Sequence, residues 1–163
     1  MRKLTAAAGS SLFFALAPGV VAGLGPWWFT RWHIAHRTFL LVPGALLVAA
    51  GAAVLVHAFV RFVVEGMGTP APVAPTQRLV VGGLYRYVRN PMYLAVLVAI
   101  LGQAMLFGQP VLLCYGAAAG AAMVSFVVLY EEPALRARFG DEYESYRRSV
   151  PGWWPRRKQP NGS

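Results

Sequence analysis

Two clusters of polar residues lie beside long apolar stretches, and they are the residues best suited to chemistry. The first, residues 86–93, contains two arginines, an Asn-Pro pair and two tyrosines, and the second is the adjacent pair Glu131 and Glu132. Arginine binds anions, and carboxylates accept hydrogen bonds from hydroxyl groups and amines. Two carboxylates at an apolar boundary are costly to desolvate unless something binds them. The clusters predict a ligand site or, more simply, arginine membrane anchors paired with the glutamates.

The elements that must position these clusters are apolar and helical. Hydrophobic residues make up 57% of the chain and charged residues only 13%, so lipid is the expected solvent. A spanning helix needs about 20 apolar residues. The candidate spans are residues 4–29, 38–64, 93–107 and 111–130. The break at residues 108–110 makes the last two spans a helical hairpin, which brings the two polar clusters together.

The distribution of charge predicts the orientation. The net charge is +9, and the basic residues flank the apolar stretches rather than forming a stripe, which favours a membrane over nucleic acid. With both termini in the cytoplasm, only Arg31 and Arg37 of the 15 Lys and Arg residues lie outside. We therefore predict an integral protein of the cell (inner) membrane with both termini cytoplasmic.

The beginning of the chain allows a second interpretation. Arg2 and Lys3 precede an apolar run, as in a signal peptide. The run is longer than an ordinary signal core, and three tryptophans after it resemble an interfacial aromatic belt: Trp27, Trp28 and Trp32. A retained spanning helix is therefore favoured.

The fold class predicted from these features is an all-α polytopic transmembrane helix bundle of about four spans, with a C-terminal helical hairpin and an amphipathic interfacial helix. We expect one membrane domain over residues 1–163. Its parts are two N-terminal spans (1–64), a cytoplasmic loop (65–92), the hairpin (93–130), an interfacial helix with an aromatic turn (131–156) and a tail (157–163). The interfacial helix is predicted from Leu135, Phe139, Tyr143 and Tyr146, which recur at helical spacing. A single cysteine, Cys114, leaves no cysteine-based metal site, and no metal is expected.

The residues around the two polar clusters resemble a known superfamily, the isoprenylcysteine carboxyl methyltransferases and phospholipid methyltransferases. The family pattern has a Gly-x-Tyr approach, an Arg-His-Pro-x-Tyr core, a hairpin and a Glu-Glu pair. The pattern then continues with Leu, Phe-Gly, Tyr-x-x-Tyr and Val-Pro. Residues 75–94 and 131–151 match it in order. Asn90 replaces the usual His, and Ser149 stands where prenylcysteine enzymes tend to carry a basic residue, which argues against a prenylcysteine carboxylate acceptor.

The resemblance implies a membrane methyltransferase that uses S-adenosylmethionine. It assigns Arg89 and Glu131 to catalysis. The implied cofactor-binding residues are Gln77, Leu79, Val80, Gly83, Tyr85, Asn90, Pro91, Tyr93, Glu131 and Glu132. The acceptor would be lipid-like or a small membrane-partitioning carboxylate, amine or thiol that enters from the bilayer. His57 would line its path or pack in the core.

Two other functions are compatible with the sequence. A membrane reductase of related architecture would use a nicotinamide cofactor, whose phosphates demand more basic residues in the pocket. A non-enzymatic scaffold would bind membrane lipids through its basic tail and would hold no cofactor.

Overall fold

The computed structural model describes residues 17–34, 38–66 and 77–155, and within these ranges it contains helices and turns but no β-strand. A π-helical turn, Val20–Leu24, leads into α1. The α-helices are α1 (Gly25–Thr30), α2 (Thr38–Gly66), α3 (Pro91–Phe107), α4 (Val111–Phe126), α5 (Glu132–Phe139) and α6 (Asp141–Ser149). A 3-10 helix, Gly83–Arg86, precedes α3, and a second π-helical turn, Val127–Glu131, joins α4 to α5. The predicted all-α class is confirmed.

Two of the described helices are long and apolar enough to cross a membrane. They are Phe39–Arg61, with 23 residues, and the continuous stretch Val111–Phe139, with 29. At about 1.5 Å per residue, the first is roughly 35 Å long, enough for a hydrocarbon core of about 30 Å. The third apolar helix, α3, is shorter. Half of the predicted first span, residues 4–29, lies outside the described residues, so the number of spans stays a prediction.

The main interhelical contact joins α2 to α3 through glycines. A Cβ built on Gly102 would lie 2.8 Å from the carbonyl oxygen of Gly44, and one built on Gly51 would lie 2.8 Å from that of Ala95. Both distances are shorter than a side-chain carbon tolerates. Small residues let helices approach closely in lipid, where packing rather than the hydrophobic effect drives association. These glycines therefore fix α2 against the hairpin.

The predicted hairpin is present, and its turn has a clear local cause. Gly108 ends α3 in the left-handed conformation, with φ 63°. Glycine adopts this conformation without a Cβ penalty, and it commonly ends helices. Pro110 then precedes the first residue of α4. The chain reverses, so the start of α3 and the end of α4 lie at the same end of the hairpin.

The N-terminal helical segment is attached to the hairpin by side chains that bind its π-helical turn. Gln103 donates from Nε2 to the carbonyl oxygen of Ala22 at 2.5 Å, and the Tyr115 hydroxyl donates to that of Val21 at 2.6 Å. Backbone groups in a bilayer must find partners within the protein. These two contacts hold Pro18 and Val21 beside α4, where they form one wall of the site described below.

The C-terminal segment forms two helices rather than the single helix expected over residues 131–150. The division is at Gly140, which has φ 52° and ψ −124°, values outside the helical region. Acidic residues begin the second helix: Asp141, Glu142 and Glu144 all lie in the first turn of α6. Negative charge is favourable at a helix N-terminus, which favours a new start there. The location of these helices at the membrane surface stays a prediction.

Candidate active site

The π-helical turn Val127–Glu131 orients the two glutamates. Pro133 follows it, and proline has no N–H and crowds the carbonyl four residues earlier, here that of Leu129. A locally wider turn relieves that crowding. Adjacent residues of a regular α-helix point about 100° apart, yet Glu131 and Glu132 both line the same cavity.

Glu132 pairs with Arg89 across the hairpin. Arg89 Nη1 lies 2.7 Å from Glu132 Oε1, and each side chain is 14% exposed. The same Nη1 donates to the Tyr143 hydroxyl at 2.9 Å, and Arg89 Nε donates to the Val150 carbonyl oxygen at 3.1 Å. Within the described residues, Nη2 of Arg89 donates to no acceptor. Arg89 therefore links α3, α5 and α6 and keeps one donor group for a ligand.

Glu131 makes a different contact. Its Oε2 accepts a hydrogen bond from the Tyr93 hydroxyl at 2.9 Å. The Tyr93 ring lies 6.3 Å from that of Trp153, centroid to centroid, so the aromatic turn covers this side of the site. No donor in the described ranges contacts Oε1 of Glu131, which remains available to a hydroxyl or amine.

The turn after α6 is hydrogen-bonded to the start of α3. The backbone N–H of Arg89 donates to the carbonyl oxygen of Pro151 at 2.9 Å. The backbone N–H of Asn90 donates to the carbonyl oxygen of Gly152 at 3.2 Å. The Asn90 side-chain amide also donates to the Gly152 carbonyl oxygen, at 3.2 Å. Asn90 therefore supports the aromatic turn from the position where the family usually has His.

Three further tyrosines line the site: Tyr85, Tyr143 and Tyr146. Tyr85 is buried, and its carbonyl oxygen accepts a hydrogen bond from the Tyr146 hydroxyl at 2.6 Å. Burial raises the pKa of the Tyr85, Tyr143 and Tyr146 hydroxyls above the usual value for tyrosine. All three are therefore neutral at physiological pH.

These residues surround a cavity of about 530 Å³, within the range of roughly 300–1,000 Å³ typical of small-molecule sites. Its polar end contains Arg89, Glu131 and Glu132. The rest of the lining is largely apolar, and we call this part the apolar arm; it includes Pro18, Val21, Leu55, Ala122, Met123 and Phe126. The cavity thus combines a charged end with an apolar arm between α4 and the N-terminal helical segment.

Most of the residues implied by the family resemblance meet at this cavity. Arg89 lines it, as do Leu79, Val80, Tyr85, Asn90, Pro91, Tyr93, Glu131 and Glu132. Gln77 is exposed, and neither Gln77 nor Gly83 is among the described residues that line the cavity. His57 is exposed beside Gly83, also away from the lining. Tyr143 and Tyr146 also line the cavity but were not predicted as site residues, although their spacing of three places both on one helix face.

The fold and the site define a helical membrane protein with a partly charged ligand cavity at the end of a hairpin. A model of the phospholipid methyltransferase family matches residues 39–142, which is more than half of the chain. The chain therefore belongs to the phospholipid methyltransferase family, and the resemblance noted in the sequence is confirmed. The family is one of membrane methyltransferases.

The chain is also similar, over part of its length, to a curated methyltransferase. The Protein-S-isoprenylcysteine O-methyltransferase of Schizosaccharomyces pombe (strain 972 / ATCC 24843) is 38% identical over 77 residues. The matched region covers 47% of this chain and 33% of that protein, so the chain spans only a third of this relative's length.

The Arg89–Glu132 pair makes a prediction about stability. Replacing Glu132 by Gln leaves the Arg89 charge largely buried without its counter-ion, and we expect the free energy of unfolding in detergent to fall by about 3 kcal/mol. The control is Glu144→Gln, which removes an exposed ion pair with Arg136 and should cost less than about 1 kcal/mol. Equal effects of the two substitutions would contradict a structural role of the Arg89–Glu132 pair.

Proposed function

We propose that this protein is an S-adenosylmethionine-dependent methyltransferase that acts on a lipid-like or small membrane-partitioning acceptor. The observation that carries the proposal is the meeting of both family motifs at one cavity with a charged end and an apolar arm. When bound, S-adenosylmethionine supplies a methyl group on a sulfonium, and in-line transfer to an acceptor atom leaves S-adenosylhomocysteine. The chain's task is to align the two reactants and to exclude water.

The polar end of the cavity fits the cofactor's functional groups. Glu131 Oε1 can accept hydrogen bonds from ribose hydroxyls or from the amine, and Arg89 Nη2 can donate to the carboxylate. Glu132 is paired with Arg89 and, at 3.7 Å, with Arg147, whereas the described partner of Glu131 is the neutral Tyr93 hydroxyl. The Glu131 carboxylate is therefore the group at this end that can attract the positively charged sulfonium. We assign Tyr85 and Tyr93 to the aromatic wall beside the adenine or the sulfonium. In this proposal Glu131 binds the cofactor and Arg89 orients it.

The apolar arm fits the hydrocarbon part of an acceptor. Met123 and Phe126 of α4 line it together with Pro18 and Val21, and side chains of this type bury aliphatic groups away from water. The arm lies between transmembrane segments, so an acceptor that partitions into the bilayer reaches it from the lipid. Such an acceptor would present a carboxylate, an amine or a thiol at the charged end of the cavity.

The cavity also distinguishes this function from a nicotinamide-dependent reductase. Arg89 is the one basic residue among the described cavity-lining residues, and its charge is already offset by Glu132. The phosphates of a dinucleotide would require further cations. The family membership likewise favours methyl transfer.

The cofactor assignment predicts the effect of Glu131→Gln on ligand binding. S-adenosylhomocysteine should bind the detergent-purified protein, as measured by calorimetry. Because a hydrogen bond to a charged group contributes about 1.5–3 kcal/mol, Glu131→Gln should weaken binding roughly 10- to 100-fold. Glu142→Gln, an exposed carboxylate on α6, is the control and should leave the affinity unchanged. Folded wild-type protein that binds neither S-adenosylmethionine nor S-adenosylhomocysteine would contradict the proposed function.

The acceptor assignment predicts the effect of filling the apolar arm. Met123→Trp should lower methyl transfer at least tenfold and leave the affinity for S-adenosylhomocysteine unchanged. Transfer is measured with methyl-labelled cofactor and three probe acceptors: a phosphatidylethanolamine, an S-farnesyl cysteine and a long-chain alkanethiol. Val124→Trp, at the neighbouring exposed position, is the matched control and should retain transfer. If Met123→Trp transfers label as well as Val124→Trp does, the acceptor does not occupy this arm.

A further inference from the structure

Glu65, near the C-terminal end of α2, contacts the loop that forms part of the cavity wall. Its Oε2 accepts a hydrogen bond from the backbone N–H of Gly82 at 2.9 Å. Its Oε1 lies 2.7 Å from Nη1 of Arg61, one helical turn earlier. The Glu65 side chain is 26% exposed and that of Arg61 46%. The carboxylate is thus held by Arg61 on one side and directed at the loop backbone on the other.

The loop is shaped around this contact. A Cβ on Gly82 would overlap the Glu65 carboxylate, so a side chain at this position would displace the carboxylate from where it now lies. The next residue, Gly83, has φ 55° and begins the 3-10 helix Gly83–Arg86. The N–H of Tyr85 donates to the carbonyl oxygen of Gly82 at 3.1 Å. The position of Gly82 therefore sets the position of Tyr85.

The rest of the segment is fixed by packing and by a second hydrogen bond. Val80 and Tyr85 are buried against Ala58 of α2. The Tyr85 carbonyl oxygen accepts from the Tyr146 hydroxyl of α6. Residues 79–85 are therefore held between α2 and α6, with Glu65 providing the attachment on the α2 side. Leu79, Val80 and Tyr85 line the cavity.

We propose that Glu65 is a positioning residue for cofactor binding. Its carboxylate fixes the backbone at Gly82, which places Leu79, Val80 and Tyr85 in the cavity wall. Glu65 is not among the described residues that line the cavity, so it acts through the loop rather than by touching a ligand. This inference rests on the proposed function, because it takes the cavity to be the cofactor site.

The test compares Glu65→Ala with Glu65→Gln. Alanine leaves the Gly82 N–H without its acceptor, whereas glutamine keeps a carbonyl oxygen that can accept the same hydrogen bond. Two quantities are measured: the calorimetric Kd for S-adenosylhomocysteine, and the hydrogen exchange of the backbone amides around Gly82 in ligand-free protein. We expect Glu65→Ala to weaken binding at least tenfold and to accelerate exchange. Glu65→Gln should stay within about threefold of wild type in Kd, since it preserves the hydrogen-bond acceptor.

Two further variants make the test independent of a folding defect in Glu65→Ala. Arg61→Met removes the half-exposed ion pair and keeps the Glu65–Gly82 contact, so it should change neither quantity appreciably. Gly82→Ala disrupts the contact from the loop side, because its Cβ meets the carboxylate, and it should weaken binding as Glu65→Ala does.

The outcomes separate this inference from the proposed function. If the wild type binds S-adenosylhomocysteine and Glu65→Ala binds it equally well, the positioning role is overturned and the cofactor site stands. If Glu65→Gln is as weak as Glu65→Ala, charge rather than the hydrogen bond is responsible, and the inference is also overturned. If the folded wild type binds no cofactor, the proposed function fails and this inference fails with it.

Discussion

The structure depends on the pairing of charged and polar groups across the open end of the hairpin. Carboxylates at the boundary of an apolar region are costly unless they are hydrogen-bonded. Arg89 partners Glu132, and Tyr93 partners Glu131. These contacts bring the start of α3 against the end of α4, and through Val150 and Tyr143 they attach the C-terminal helices as well. The cavity exists where these elements meet.

Two π-helical turns contribute residues to the lining of that cavity. Val20–Leu24 exposes carbonyl oxygens that Gln103 and Tyr115 bind, which places the N-terminal segment beside α4. Val127–Glu131 lies at the other wall and directs both glutamates inward. Single π-helical turns occur often at functional sites because they change which residues face a given direction. Here one of them orients an apolar wall and the other orients the charges.

Much of the site was predictable because it depends on local and topological rules. The Gly108 turn predicts the hairpin, and the hairpin alone requires residues 86–93 to meet the Glu131–Glu132 pair. The C-terminal division at Gly140 was not predicted, because hydrophobic spacing at 135, 139, 143 and 146 runs through it unchanged. It depends on a backbone conformation that the spacing does not encode.

Contacts between residues that are distant in the chain also could not be predicted from the sequence. In the sequence, Glu65 is a charged residue directly after an apolar stretch. Its contact with the Gly82 backbone, 17 residues later, appears only in the folded chain. Tyr146 reaches the Tyr85 carbonyl over a separation of 61 residues. Likewise, Gly44 and Gly51 share one face of α2, but nothing in their spacing identifies α3 as the helix they approach.

We propose that the cavity at the end of the hairpin is the cofactor site. Photo-crosslinking of methyl-labelled S-adenosylmethionine to the detergent-purified protein, followed by peptide mapping, tests this most directly. We predict label in peptides containing residues 79–93 or 123–146, with labelling suppressed by excess S-adenosylhomocysteine. Competable label confined to other parts of the chain, or no competable label in folded protein, would contradict it.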